Sequence, residues 1–123
     1  MIKSYKDLRA YQLSYRLAME VFAISKSFPK DEIYSLTNQI RRSTRSVTAN
    51  IVEGWAKRDF ENIFKRHLLD AFGSCAETKL WLDFARDCDY LAVEGHKSLY
   101  ERYEQLSKML HRLLENWKTY NER

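Results

Sequence analysis

The residues best suited to chemistry recur at helical spacing. Gln39, Arg42, Ser46, Asn50 and Glu53 follow one another at intervals of three or four, and Asp70, Ser74 and Glu77 do so further along. Each set makes one stripe on a helix. An arginine facing a glutamate across two helices can form a recognition or active site. It can equally be a paired, half-buried network that fixes helix register. If the chain turns near Arg58, antiparallel register sets Arg42 opposite residue 75, within reach of Glu77. Gln39, Ser46 and Ser74 then back the pair, and Glu77→Gln should lower stability. The enzymatic reading, an Arg42/Glu53/Glu77 cluster, ranks behind the structural one.

Metal and nucleophile chemistry lack their motifs. A di-metal bundle needs Glu-x-x-His on two helices, but Phe64, Val93 and Lys108 stand three residues before His67, His96 and His111. No Cys-x-x-Cys-His occurs for haem. Cys75 lies on an apolar stripe with no histidine at a helical neighbour position, the setting of an inert packed thiol. No catalytic residue, metal or cofactor is assigned.

These side chains must be carried by helices. Gly 3 and Pro 1 among 123 residues leave almost no punctuation for a sandwich of short strands or for a Gly-rich phosphate loop. Four segments of helical periodicity, about 7–28, 32–56, 60–88 and 94–120, are joined by short connections. Ser4 with Asp7, Asp31 and Asp59 are the expected N-terminal caps. The predicted fold is all-α, an antiparallel up-down-up-down four-helix bundle forming a single domain over 1–123.

The helices at 7–28 and 60–88 each carry two apolar stripes on separate faces, where a monomer's surface helix needs one. The stripes containing Leu13, Leu17, Val21 and Ile24, and Leu69, Phe72 and Leu80, are assigned to contacts between copies of the chain.

With 45% hydrophobic and 31% charged residues, the chain has material for a core and a solvated surface. No apolar run approaches the ~18 residues of a membrane span, and residues 1–9 carry three cations without an apolar stretch. A soluble, cytoplasmic protein with reduced Cys75 and Cys88 is expected. Residues 1–66 hold 13 Lys/Arg against 7 Asp/Glu, a net +6; residues 67–123 hold 8 against 10, a net −2. A basic half attracts polyanions. Arg41, Arg45, Lys57 and Arg58 are the candidate nucleic-acid contacts, with Trp55 near them to stack on a base. An ordinary wet, mixed-charge face is the competing explanation.

Tyr5-Lys6-Asp7-Leu8, Phe28-Pro29 with Glu32 and Tyr34, Gln39-Ile40-Arg41-Arg42-Ser43, Asn50-Ile51-Val52-Glu53-Gly54, Gly73-Ser74 with Glu77, and Asp89-Tyr90-Leu91 together resemble the four-helix-bundle proteins encoded in intervening sequences of bacterial 23S rRNA genes. Tyr11 stands where that family often has Trp, and Asp89 where a Gly often precedes Tyr-Leu. The resemblance implies a homopentameric ring in the bacterial cytoplasm and a distant similarity to accessory proteins of retroelements, hence RNA or DNA and a reverse-transcriptase-like protein as partners. It implies no enzymatic activity. Two functions follow as expectations: a non-enzymatic, homo-oligomeric bundle binding nucleic acid through basic surface, or a protein-binding adaptor ring without a nucleic-acid role.

Overall fold

A computed structural model describes residues 2–117. Four helices follow in order: α1 (Arg9–Ser25), α2 (Leu36–Ala56), α3 (Glu61–Asp87) and α4 (Val93–Asn116). One-turn 3-10 helices at Tyr5–Asp7 and Lys30–Glu32 precede α1 and α2. Each helix packs on its sequence neighbour, α1 closes against α4, and α1 and α3 lie on the diagonal. This is the antiparallel four-helix bundle that the periodicity predicts. The expected extension of the last helix to residue 120 lies partly outside the described residues.

The helix starts differ from expectation for reasons of capping. Ser4 and Asp7 do form a capping box, but it closes the 3-10 turn; extended Leu8 then leads into α1. Asp31 lies within a 3-10 turn rather than capping α2. Glu32 supplies that capping instead: its carboxylate accepts from the Leu36 N–H at 3.3 Å and from the Ser35 hydroxyl. The N-cap of α3 is Phe60, not Asp59, because the chain makes a further turn bonded from the Phe60 N–H to the Lys57 carbonyl. At the α3–α4 corner Asp89 takes φ 63° and the Tyr90 N–H reaches back to the Ala85 carbonyl at 2.8 Å. That is the left-handed helix ending that glycine usually supplies.

The heptad of α4 buries Leu99, Tyr103, Leu106 and Leu110. They meet Ile40, Val47 and Ile51 of α2 and Phe64, Leu68 and Leu82 of α3 in one core. From α1 the core takes Leu13, Leu17 and Val21, at 7%, 0% and 1% exposure. The two-stripe pattern assigns these three to contacts between copies, and the structure corrects that: they are the subunit's own interior. Burying a leucine as fully as Leu17 contributes about 2 kcal/mol. The outward stripe of α1 is the aromatic one, with Tyr15 and Met19 exposed. Small Ser14 and Ser25 beside the Leu13/Leu17/Val21 stripe are both buried where α2 reaches α1: Thr48 donates to Ser14 and Arg41 to Ser25.

Candidate nucleic-acid interface and the polar seam behind it

The polar stripes of α2 and α3 meet along a seam. Thr78 donates to the Ser43 hydroxyl at 2.8 Å, and the hydroxyls of Ser46 and Ser74 lie 2.9 Å apart. Asn50 donates through Nδ2 to the Ser46 carbonyl and hydroxyl, and its Oδ1 is 3.0 Å from His67 Nδ1. Lys57 Nζ is 3.2 Å from His67 Nε2. A lysine ammonium can only donate, so His67 Nε2 accepts and Nδ1 carries the proton given to Asn50. Donor and acceptor alternate consistently from Lys57 to Ser46, and the Ser46–Ser74 contact carries the chain across to α3.

Of the expected network, Ser46, Asn50 and Ser74 are therefore joined. Gln39 is half-buried at the edge of the seam, and Arg42 and Glu53 are exposed. Arg42 forms no ion pair with Glu77, which instead accepts from Trp81 Nε1 at 2.9 Å. The Ser43–Thr78 bond sets Arg42 about level with Glu77 along the axes, so the register does not account for the missing pair. Both side chains are exposed, where an ion pair gains only about 0–1 kcal/mol, too little to hold two long side chains together. Sequence reading missed His67, whose partner Asn50 is seventeen residues away in sequence, and also missed the pairing of Ser43 with Thr78.

The candidate basic residues separate into two groups. Arg41 and Arg45 lie with Lys26 around the Phe22 ring, their charged groups 4.7, 5.6 and 4.9 Å from its centroid. Arg41 Nε also donates to the buried Ser25 hydroxyl at 2.8 Å, which fixes the guanidinium. Among the described residues, none of these three cations is in an ion pair. By contrast Lys65 pairs with Glu61, Arg86 with Asp87 and Arg102 with Glu20. Lys57 and Arg58 lie about 24 Å from Arg41 along α2. There Lys57 meets His67, and Arg58 covers the Trp55 ring at 4.3 Å and donates to its carbonyl. Trp55 itself is buried against Trp117, with no open face for a base. Phe22 and Lys26 were missed as site residues; their (i, i+4) spacing on α1 was the available signal.

On α3 the stripe assigned to contacts between copies does face outward: Leu69, Phe72 and Leu80 are 54%, 42% and 47% exposed. Ile24 is half-buried against the core. Cys75 is fully buried, and desolvation pushes its thiol up to about 12, so it is not a thiolate nucleophile at neutral pH. His96 is buried, with Nε2 2.7 Å from Asp83 Oδ1. Among the described residues no group of three His, Cys, Asp or Glu side chains is placed to hold a metal ion. No helix among them is long and apolar enough to cross a membrane.

A short antiparallel four-helix bundle with a satisfied polar seam, an unpaired cationic cluster and an uncovered apolar stripe defines the class. The chain belongs to the 23S rRNA-intervening sequence protein family, whose model matches residues 6–112. Its fold is similar to the crystal structure of a protein of unknown function from the S23 ribosomal protein family of Bacteroides thetaiotaomicron. The TM-score is 0.79 at 22% identity, covering 87% of this chain and 96% of that one. No curated protein matches the chain.

Proposed function

We propose that the protein is a non-enzymatic, self-associating bundle that binds nucleic acid at the Lys26/Arg41/Arg45 cluster. The observation that carries this reading is the gathering itself: three cations converge on one ring with no carboxylate among them, and the buried Ser25 hydroxyl holds Arg41 there. Unpaired, pre-positioned cations are what a phosphate backbone requires. In this reading Lys57 and Arg58 serve the fold. Copies associate through Leu69, Phe72 and Leu80, whose exposure leaves an apolar stripe in water on a lone subunit. A fivefold ring and a reverse-transcriptase-like partner are supported only by the resemblance. The free thiols of Cys75 and Cys88 fit a cytoplasmic setting.

Binding to RNA should weaken with salt at a log–log slope between about −2 and −3 for three phosphate contacts. Replacing Lys26, Arg41 and Arg45 together by Gln should remove most of the binding. Salt-independent binding, or none, overturns the nucleic-acid reading. Light scattering should give more than one subunit, and Leu80→Glu should reduce that number. A monomeric parent protein overturns self-association.

A further inference from the structure

The cationic cluster stands at one end of a groove between α1 and α2. This groove, about 360 Å³, is lined by Tyr15, Met19, Phe22, Arg45 and Thr48 among others. Residues 11, 15, 19 and 22 step by four, four and three along α1 and so form one ridge about 16 Å long. Tyr11 and Tyr15 stand 6.0 Å apart between centroids, and Tyr15 and Met19 are 53% and 52% exposed. One wall therefore offers an aromatic surface leading to three unpaired cations.

Phe22 itself is taken by those cations, so the open ring is that of Tyr15. A duplex hides its base faces and would touch the cations alone. A single strand can lay a base on Tyr15 while its phosphates run to Arg45, Arg41 and Lys26, the alternation of stacking surface and positive charge that suits single strands.

Thr48 adds a preference for the sugar. Ser14 donates its hydroxyl proton to the Tyr11 carbonyl at 2.8 Å, so Thr48 must be the donor in its 3.1 Å contact with Ser14. Thr48 Oγ1 then presents only lone pairs to the groove. A ribose 2′-hydroxyl supplies a matching donor, and deoxyribose does not.

We propose that the α1–α2 groove holds single-stranded RNA, with a base stacked on Tyr15 and the adjoining phosphates on Arg45, Arg41 and Lys26. This rests on the nucleic-acid reading above and narrows it to one strand and one sugar.

The test is an anisotropy titration of the full-length protein with a short oligouridylate, its deoxy counterpart and a blunt RNA duplex of equal length. The single-stranded RNA should bind about tenfold tighter than the duplex, and more tightly than the deoxy strand. Tyr15→Ala should weaken the RNA strand about tenfold and leave the duplex unchanged, whereas Tyr15→Phe keeps the ring and the affinity. Tyr15 is exposed, so both variants should fold, and circular dichroism checks this. Equal binding of duplex and strand overturns the proposal. So does an unchanged Tyr15→Ala alongside a weakened Arg45→Gln, though that result leaves the electrostatic reading standing. Equal binding of the deoxy strand overturns the choice of RNA. Absence of binding to every probe overturns both readings. If Tyr15→Ala instead dissociates the assembly in light scattering, the groove is filled by a second copy and the proposal fails.

Discussion

A β-carbon at Gly54 of α2 would stand 2.9 Å from the His67 β-carbon on α3, closer than two such atoms pack. The absence of a side chain at Gly54 lets the helices approach here, one turn from where His67 bonds Asn50.

Gly54→Ala should therefore be destabilising. The new methyl group also meets Phe64 Cδ1 at 3.2 Å. Overpacking of this kind costs about 1–3 kcal/mol, and the better helix propensity of Ala returns up to about 1 kcal/mol. A net loss of about 1–2 kcal/mol is expected in a urea titration. A more stable variant would disprove the close approach.

Asp89→Gly should be stabilising. Asp89 holds φ 63° at the α3–α4 corner, a conformation costing roughly 1 kcal/mol for a residue with a β-carbon, less for Asp. Glycine removes that strain but adds entropy to the unfolded chain. A gain of about 0.5 kcal/mol is expected, visible as a rise in thermal midpoint.

Glu77→Gln should change stability by less than about 0.5 kcal/mol. The amide oxygen of Gln can still accept from Trp81 Nε1, and no ion pair with Arg42 exists to be lost. A urea midpoint lowered by more than this would restore the Arg42–Glu77 pair that the spacing suggests.

The Glu32–Tyr90 contact should shape the pH profile. Donation from the Ser35 and Tyr90 hydroxyls and the Leu36 N–H holds the Glu32 carboxyl below its ordinary 4.5. Its stabilisation is full above that value and is lost as pH falls through the lowered one. The bond to Glu32 pushes Tyr90 from 10.0 up to about 12. Its stabilisation is full below 10.0 and is lost as pH rises toward 12. Thermal midpoints should fall at both ends. Tyr90→Phe should remove this tyrosine's share of the alkaline fall and narrow the acid one, since Ser35 and Leu36 still hold Glu32. An identical profile for the variant would show that the contact is absent in solution.

The seam shows how far the sequence reaches into the candidate site. Ser46, Asn50 and Ser74 were legible because helical spacing alone puts them on facing stripes. Their partner His67 was not, because the exact turn length sets which residue across the interface lies level. The basic site divides similarly. Arg41 and Arg45 share a face by periodicity, but the loss of Trp55 to the core and the recruitment of Phe22 and Lys26 from α1 depend on how α1 rotates against α2.

The sequence by itself determined four amphipathic helices, short antiparallel connections and the heptad of α4, because periodicity and breakers are local properties of the chain. Tertiary structure decided which of the two apolar stripes on α1 faces inward. Both stripes are greasy enough to fill a core. The choice falls to Leu13, Leu17 and Val21 because their neighbours Ser14 and Ser25 fit against α2, while the opposite stripe keeps the hydroxyl-bearing ring of Tyr15 toward water. That rotation also decides which cations gather at Phe22, since Lys26 comes from α1 and Arg41 and Arg45 come from α2.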